Sequence, residues 1–312
     1  MTTTLGIVVP CFNEQEVLTE TTRRLLGLLT RLQDAGQVSA DSAVYFVDDG
    51  SKDKTWQLIQ SLAQQDLRIH GVKLSRNRGH QNALLAGLSI AVGDAVVTVD
   101  ADLQDDIEVI EQMVHRFSEG CEIVYGVRMS RTSDSAFKRG SAQAYYKLLE
   151  SVGVDIVYNH ADYRLMSRRA LNHLQEFSEV NIFLRGIIPL LGFLTSIVYY
   201  DRTTRFAGES KYPLRRMLAL AFDGITSFSV TPLRFIAALG MIIFMISFGM
   251  AAWVLYGRLF MHASVPGWAS SVIPIYFLGG IQILSIGVLG EYVAKIYMET
   301  KRRPRFSIEK VV

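Results

Sequence analysis

Several features that would point to common protein classes are missing from this chain of 312 residues. Its two cysteines, Cys11 and Cys121, cannot form a zinc site alone and lack Cys-x-x-Cys spacing. We interpret them as buried thiols of a protein in a reducing compartment. Neither Gly-x-Gly-x-x-Gly nor Gly-x-x-x-x-Gly-Lys-Ser/Thr occurs, which disfavours dinucleotide dehydrogenases and P-loop ATPases. The net charge is only +2, so nucleic-acid binding is not expected.

The N-terminal part of the chain alternates short apolar runs with amphipathic segments. It lacks the basic n-region and long apolar core of a signal peptide, so we expect it to begin with a cytoplasmic strand. The runs predict strands at residues 5–10, 44–47, 69–74, 95–100 and 123–127. Helices are predicted from Asn13 to about Asp34 and at residues 55–66, 81–91 and 107–119. This alternation predicts an α/β fold with a mostly parallel, doubly wound sheet.

The run at residues 96–99 ends in two carboxylates, Asp100 and Asp102, followed by the amide of Gln104. At the carboxyl end of a parallel strand they would lie at the edge where open α/β sheets bind ligands. Converging carboxylates repel each other unless a cation joins them, and Mg²⁺ or Mn²⁺ with substrate phosphates is the expected partner. Taken alone, however, such a triplet is more often a solvated turn.

A second acidic strand end, Asp48-Asp49-Gly50-Ser51, allows two interpretations. In one, Asp49 accepts a hydrogen bond from a nucleotide base or ribose, and Asp48 braces the turn. In the other, the segment only caps the following helix. Arg76 follows the next strand and is predicted at the same edge of the sheet.

Two C-terminal stretches, residues 235–256 and 265–290, contain no charged residue and are each long enough to cross a bilayer. Two buried core helices are the alternative. Basic residues precede the first stretch and follow the second, so the positive-inside rule predicts that both ends are cytoplasmic. Residues 215–231 are a candidate interfacial amphipathic helix, or else an ordinary surface helix.

Four segments match, in order, the signature of family 2 glycosyltransferases with the GT-A fold. They are Pro10-Cys11-Phe12-Asn13-Glu14, residues 48–55, Arg76-Asn77-Arg78-Gly79 and Asp100-Ala101-Asp102-Leu103-Gln104. Residues 162–168, 205–212 and 227–234 resemble polyprenyl-phosphate glycosyltransferases, the branch that includes dolichol-phosphate mannose synthase. The two-span tail is most similar to bacterial bactoprenol glucosyltransferases. The resemblance covers nearly the whole chain.

The resemblance implies roles for particular residues. Catalysis would depend on Asp162 and Asp102. Binding of the nucleotide sugar would involve Pro10, Phe12, Glu14, Val47, Asp49, Arg76 and Asp100. The Mg²⁺ or Mn²⁺ ion would be bound by Asp100, Asp102 and Gln104. The lipid phosphate would be bound by Arg128, Arg131, Arg139, Arg205 and Lys211, each of which, taken singly, could instead be a solvated surface cation.

Phe12 and the pair Asp105-Asp106 are among the positions that depart from the usual pattern of the family. Phe12 replaces a common Tyr, which keeps a ring that could stack on a base. Asp105-Asp106 stands where a proline often follows the glutamine, so we expect the loop after Asp102 to be less rigid. Neither change removes a group that the chemistry needs.

The implied reaction is metal-dependent, inverting transfer of a sugar to a polyprenyl phosphate at the cytoplasmic membrane face. Glucose from UDP-glucose and undecaprenyl phosphate are the expected substrates, and the product would serve cell-surface glycan modification. GDP-mannose, a UDP-linked arabinose derivative or a UDP-N-acetylhexosamine are alternative donors. A processive polysaccharide synthase is disfavoured because Gln-x-x-Arg-Trp is absent. A non-catalytic membrane scaffold is disfavoured because the acidic motifs are intact.

These inferences predict an integral protein of the bacterial inner membrane with four regions. They are a cytoplasmic GT-A domain (residues 1–213), an amphipathic interfacial helix (214–231), two transmembrane helices (232–295) and a basic cytoplasmic tail (296–312). Small residues at Gly279-Gly280, Gly287 and Gly290 suit either contacts between copies in a homo-oligomer or exposure to lipid.

Overall fold

The computed structural model describes residues 2–129, 160–179, 183–201, 231–260 and 268–312. Within these residues, an eight-stranded sheet is combined with helices. The strands are β1 (Leu5–Cys11), β2 (Ala43–Asp48), β3 (Ile69–Leu74), β4 (Ala95–Thr98), β5 (Ile123–Arg128), β6 (His160–Ser167), β7 (Thr195–Tyr200) and β8 (Ile308–Val311). The helices are α1 (Leu18–Asp34), α2 (Thr55–Gln65), α3 (His80–Ile90), α4 (Val109–Ser118), α5 (Arg168–Glu176), α6 (Leu184–Leu190), α7 (Thr231–Phe260) and α8 (Trp268–Thr300).

Two layers of apolar side chains form the core, one on each face of the sheet. In β1, Ile7 and Val9 belong to one layer and Val8 to the other. Every residue of β1 and β2 is buried, as expected for strands covered by helices on both faces. Helix α3 packs closely on the second layer because Gly87 has no side chain. A Cβ atom there would lie 2.3 Å from the side chain of Val8.

The strand order is β7-β5-β6-β4-β1-β2-β3-β8. Strand β1 pairs in parallel with β2 and β4, and β2 pairs in parallel with β3, which confirms the predicted mostly parallel α/β sheet. Strand β6 lies between β4 and β5 and is antiparallel to both. Its register pairs Thr98 with Arg164. Just beyond this pairing Asp162 lies near Asp100, since the carboxylates of both are within 3.6 Å of His80 Nε2.

Two predicted element boundaries are wrong. Helix α1 begins at Leu18 rather than at Asn13, because Asn13 has a φ of +57° and cannot belong to a right-handed helix. Strand β7 begins at Thr195 rather than at residue 198, because it pairs in parallel along the whole length of β5, and residues 202–205 of the predicted strand lie outside the described residues. The predicted amphipathic helix at residues 215–231 lies outside the described residues except for Thr231, where α7 begins.

Helix α7 contains the first predicted membrane span, and α8 contains residues 268–290 of the second. Leu233–Met250 and Phe277–Thr300 are long and apolar enough to cross a bilayer, and none of their residues is buried within the described part of the protein. Helix α8 continues past the predicted boundary at residue 295 as far as Thr300. Apart from the adjoining residues and the nearby backbone of α8 itself, no described atom lies within 4 Å of where a Cβ would be at Gly279, Gly280, Gly287 or Gly290. Association of copies through these glycines stays a prediction.

The end of the chain returns to the sheet, which the sequence analysis did not predict. Strand β8 is an edge strand antiparallel to β3, with Val311 opposite Val72. Gly71 and Val312 exchange backbone hydrogen bonds of 2.8 and 2.9 Å. Ile308 packs against the core. The strand therefore provides hydrogen-bond partners for backbone groups at the edge of β3 and also covers apolar surface. The predicted basic tail is therefore partly the end of α8 and partly a strand of the sheet.

Candidate active site

The carboxyl ends of β1, β2, β3 and β4 lie side by side at one edge of the sheet, the edge at which open α/β sheets bind ligands. Pro10 lies opposite Val47 in the β1–β2 register, and both are buried. The segments that follow these strands carry Phe12, Asp49, Arg76 and Asp100. Arg76 is exposed. The structure thus brings the predicted nucleotide-sugar segments together at this edge.

The carboxylate of Asp49 is buried and binds the loop that follows β3. Its two oxygens accept hydrogen bonds from the backbone N–H groups of Arg78, at 2.7 Å, and Gly79, at 2.9 Å. Burial raises the pKa of Asp49, and these two hydrogen bonds oppose that rise. Asp49 therefore braces the loop that follows β3.

The neighbouring carboxylate of Asp48 is fully buried but accepts fewer hydrogen bonds than that of Asp49. One oxygen accepts a hydrogen bond of 3.2 Å from the backbone N–H of Ser51, and Oδ2 has no hydrogen-bond partner among the described residues. Burial raises the pKa of Asp48. Gly50 follows with a φ of +69°, and a Cβ there would lie 2.6 Å from the backbone nitrogen of Asn77. The loops after β2 and β3 therefore pack directly against each other.

The loop after β1 is joined to the loop after β2. The backbone N–H of Asn13 donates to Ser51 Oγ at 2.9 Å, and the N–H of Glu14 donates to Thr55 Oγ1 at 2.9 Å. The ring of Phe12 stays 43% exposed at the tip of this loop. The three loops after β1, β2 and β3 are thus one connected framework with an aromatic ring presented to solvent.

The acidic loop after β4 is held at several points. The backbone N–H of Gln104 donates to the Asp102 carboxylate at 3.1 Å. The hydroxyl of Thr21 in α1 donates to the carbonyl of Ala101 at 2.8 Å. Gln104 is buried. Asp102 and Gln104 are therefore fixed in one turn beside the end of β4.

Asp100 lies where several negative charges converge. Partial burial, followed by the neighbouring carboxylates of Asp105, Asp162 and Asp102, raises the pKa of Asp100 to about 6. The ring of His80 opposes this effect, since its Nε2 atom lies 3.6 Å from Asp100 Oδ1. This edge of the sheet is therefore short of positive charge around Asp100.

Side chains from three strands hold the Asp105-Asp106 loop, which was expected to be less rigid without a proline. The buried Asp105 carboxylate accepts hydrogen bonds from the Tyr200 hydroxyl at 2.6 Å and from Arg128 at 3.2 Å. The Tyr163 hydroxyl donates to the carbonyl of Asp106 at 2.9 Å. Side chains from β5, β6 and β7 thus supply the restraint that a proline would otherwise provide. They also engage Arg128, a predicted lipid-phosphate ligand, in an ion pair.

Asp162 is surrounded by cations. Arg185 donates to both of its oxygens, from Nε to Oδ1 at 3.2 Å and from its terminal nitrogen to Oδ2 at 3.1 Å. Arg164 donates to Oδ1 at 2.5 Å, and His80 Nε2 lies 3.5 Å from Oδ2. Burial alone would raise the pKa of Asp162, but these cations outweigh it and hold the pKa well below its usual range. Asp162 is therefore a carboxylate that stays ionised.

Four residues of this site were missed by the sequence analysis. His80 directly follows the Arg76-Asn77-Arg78-Gly79 segment, and Arg164 lies within a segment that carried the resemblance, so motif context could have found both. Arg185 and Tyr200 carried no recognisable signal. Their roles depend on strand pairing and helix packing far apart in the sequence.

The predicted lipid-phosphate ligands are described only in part. Arg128 is placed at the end of β5, with 21% of its side chain exposed. The other four lie outside the described residues: Arg131, Arg139, Arg205 and Lys211.

The chemistry of the acidic edge fits a hard divalent cation. Among the described residues, no group of three or more His, Cys, Asp or Glu side chains is placed to hold a metal ion. The predicted donors are instead two carboxylates and one amide. This set suits Mg²⁺ or Mn²⁺, which commonly take one or two carboxylates and complete their coordination with substrate phosphates and water. Asp102, Asp105 and Asp162 lie near enough to Asp100 to raise its pKa in addition to the larger effect of burial, and a bound cation would offset their charge.

A separate cavity of about 370 Å³ lies between α1 and the far side of the acidic loop. Its arginines are already paired with carboxylates. Arg23 and Arg24 contact Glu20 at 2.7 Å, and Arg31 contacts Glu108. This cavity does not include the Asp100–Asp162 edge.

The decisive observation is that residues 6–175 match the profile of glycosyl transferase family 2. The chain belongs to this family. The fold and the family together confirm the expected GT-A architecture and show that the protein is a glycosyltransferase.

Relatives within glycosyl transferase family 2 match almost the whole chain. The uncharacterized glycosyltransferase YkoT of Bacillus subtilis (strain 168) is 49% identical over 307 residues, covering 98% of this chain and 91% of the relative. The bactoprenol glucosyl transferase of Shigella phage SfX is 38% identical over 309 residues, covering 98% of each chain. These matches confirm the resemblance to bactoprenol glucosyltransferases.

Solved structures give more distant matches. The glucosyl-3-phosphoglycerate synthase of Mycobacterium tuberculosis, in complex with Mn²⁺, UDP and phosphoglyceric acid, is 20% identical to this chain. The match covers 72% of this chain and 76% of that one, with a TM-score of 0.46.

Proposed function

We propose that this family 2 glycosyltransferase transfers glucose from UDP-glucose to undecaprenyl phosphate at the cytoplasmic face of the bacterial inner membrane. The product would be a lipid-phosphate-linked glucose for modification of cell-surface glycans. The observation that carries the proposal is the nearly full-length similarity to a protein named bactoprenol glucosyl transferase. The grouping of Asp100 and Asp162 at the ligand-binding edge supports it.

The donor would bind across the loops after β1, β2 and β3. The exposed ring of Phe12 would stack on the base, and the buried Pro10 and Val47 would form the floor beneath it. Asp49 would act mainly through the loop it braces, which carries Arg76. Glu14 completes the predicted base and ribose pocket.

The diphosphate would lie over the acidic loop. Asp100, Asp102 and Gln104 would hold Mg²⁺ or Mn²⁺, whose charge, when bound, offsets that of the departing nucleoside diphosphate. The contacts of Thr21 and of the Gln104 backbone fix this loop before substrate arrives. Pre-organisation of this kind lowers the reorganisation needed in the transition state.

The acceptor phosphate is already anionic at neutral pH, so its attack needs little help from a general base. Asp162, held ionised by Arg185, Arg164 and His80, is a poor proton acceptor. It would instead position the acceptor or stabilise positive charge on the sugar ring. Attack opposite the leaving group would invert the anomeric configuration in one step.

The membrane helices would keep this site at the height of the lipid phosphate. Strand β8 follows α8, yet it pairs with β3, which precedes α7. The chain before the two helices and the chain after them therefore lie on the same side of any bilayer that both helices cross. This pairing supports the part of the prediction that puts both termini on one side of the membrane. The acceptor phosphate would be bound by Arg128, Arg131, Arg139, Arg205 and Lys211.

A donor screen tests the proposal. The full-length protein in detergent is incubated with undecaprenyl phosphate and labelled UDP-glucose, UDP-galactose, UDP-N-acetylglucosamine or GDP-mannose. We expect a chloroform-soluble, acid-labile product from UDP-glucose that disappears with EDTA and returns with Mg²⁺ or Mn²⁺. A product from another donor would contradict the glucose assignment, and no product from any donor would contradict the whole proposal.

The metal assignment is tested by Asp102→Asn, which removes a charge while keeping the size of the side chain. We expect loss of at least about 10²-fold in turnover, because a ligand and its charge stabilisation are removed together. Full activity of this variant with Mg²⁺ present would show that Asp102 does not hold the metal.

A further inference from the structure

We infer that Arg185 is a positioning residue for Asp162, which it holds in one orientation through a two-point guanidinium contact. The inference rests on the proposed function, since Asp162 has its role only in sugar transfer. Arg185 belongs to a segment for which the sequence suggested no chemistry.

The contact between Arg185 and Asp162 has the geometry of a fork. Nε and one terminal nitrogen of Arg185 each donate to a different oxygen of Asp162, at 3.2 and 3.1 Å. A carboxylate can rotate over a broad range about its terminal bond. A contact to both oxygens restrains this rotation, whereas a contact to one oxygen does not. Arg185 therefore controls the direction in which the carboxylate faces.

Arg164 contacts the same carboxylate but contributes differently. It reaches only Oδ1, its side chain is 1% exposed, and its second terminal nitrogen has no partner among the described residues. It lies behind Asp162 in β6 itself. Arg164 therefore supplies a fixed charge beneath the carboxylate, whereas Arg185 contacts it from a different element and has 35% of its side chain exposed.

Helix α6 is anchored so that Arg185 faces this edge. The neighbouring Leu184 is buried, and its backbone N–H donates to Gln81 Oε1 in α3 at 3.2 Å. Ile187 and Ile188 of α6 are also fully buried in the core layer that α3 covers. Helix α3 begins at His80, which contacts Asp162 from the other side. Asp162 is thus held between two helices that are tied to each other.

An arginine is required for this role because a lysine ammonium cannot present two parallel donors. With Arg185 in place, the oxygen next to His80 stays directed toward Asp100, where the sugar and diphosphate would meet. Without it, the carboxylate would keep the charge of Arg164 beside it but would turn about its terminal bond. The expected consequence is slower chemistry with little change in substrate binding.

The test uses steady-state kinetics of the full-length protein with UDP-glucose and undecaprenyl phosphate. We expect Arg185→Ala to lower kcat about 10²-fold, the effect of a misplaced reacting group, while KM for both substrates stays near the wild-type value. Arg185→Lys should recover only a small part of kcat. Added guanidinium ion should raise kcat of Arg185→Ala and leave that of the wild type unchanged.

Arg169→Ala is the matched control, since Arg169 is an exposed arginine that pairs with Glu122 at 3.3 Å, away from Asp162. It should keep full kcat, and all variants should unfold near the wild-type temperature. Unchanged kcat in Arg185→Ala, or full activity of Arg185→Lys, would overturn the inference. An effect confined to KM for the lipid would also overturn it, because Arg185 would then bind the acceptor. Absence of lipid product from the wild type would instead defeat the proposed function.

Discussion

The two halves of the site hold their carboxylates in different ways. On the side of β2 and β3, Asp49 is held by two backbone N–H groups of the adjacent loop. On the side of β4 and β6, Asp162 is held by side chains from β6, α3 and α6. Asp49 joins one loop to the next, whereas Asp162 gathers charges from three elements.

This difference separates a structural use of a carboxylate from a chemical one. Backbone donors fix the position of Asp49 and leave it inside the framework that shapes the nucleotide pocket. Side-chain cations keep Asp162 ionised at the point where it meets Asp100. We therefore expect changes on the first side to affect mainly stability and donor binding, and changes on the second side to affect mainly turnover.

The largest expected effect is that of Asp162→Asn. Loss of the charge should lower kcat by about 10²–10³-fold, a typical value for removal of one group that stabilises the transition state. Kinetics of lipid glycosylation provide the measurement, with calorimetric binding of UDP-glucose to show that the variant is folded. Asp94→Asn is the control, since Asp94 directly precedes β4, at the opposite end of that strand from Asp100, and accepts a hydrogen bond from the backbone N–H of Thr4. Equal losses of kcat in both variants would contradict a specific role of Asp162 in turnover.

The second largest effect is expected for Asp49→Ala, on the side of β2 and β3. The variant leaves two backbone N–H groups of the neighbouring loop without acceptors, which should destabilise the protein by about 2–3 kcal/mol. Thermal or denaturant unfolding measures the change, and KM for the donor should rise more than kcat falls. Asp34→Ala, at an exposed position of α1, should have no effect. A fall in kcat without loss of stability would place Asp49 in the chemistry instead.

A smaller effect is expected for Tyr200→Phe. This change removes the hydroxyl that donates to the buried Asp105 carboxylate at 2.6 Å but leaves the contact between Asp105 and Arg128. The Tyr200 hydroxyl also accepts a hydrogen bond of 3.2 Å from Arg128 Nε, so two contacts with charged groups are lost while the ring still packs. The variant should lose about 1–2 kcal/mol of stability. Chemical denaturation gives the value. No loss of stability would show that Arg128 alone is enough to hold the acidic loop.

The smallest effect is expected for Glu309→Gln at the edge formed by β8. Lys73 and Glu309 are 2.9 Å apart, but the Glu309 side chain is 48% exposed. Solvent and salt screen such a pair, so its loss should change stability by no more than about 1 kcal/mol. The same unfolding experiment tests this. A larger change would mean that the side chains of β8, and not only its backbone pairing, hold the end of the chain on the sheet.

Much of the fold could be predicted because its signals are local. Strands β1 to β5 and the helices between them follow from apolar runs and helical periodicity, and the acidic residues fall at the strand ends as expected. The errors have local physical causes. Asn13 has a left-handed conformation, so α1 begins only at Leu18. Pairing with β5 makes β7 begin at Thr195, before the predicted residue 198. The restraint on the Asp105-Asp106 loop was missed because its partners come from other strands.

By itself, the sequence determined the alternation of strands and helices, the acidic strand ends and the two long apolar helices, because each depends on a short period or a continuous run. The tertiary structure decided which of these features meet. The insertion of β6 between β4 and β5 brings Asp162 to Asp100, the packing of α6 on α3 brings Arg185 to Asp162, and the return of β8 ties the end of the chain to β3. Such contacts join residues far apart in the chain, and they stabilise the protein only after the strands of the sheet have paired in the correct register.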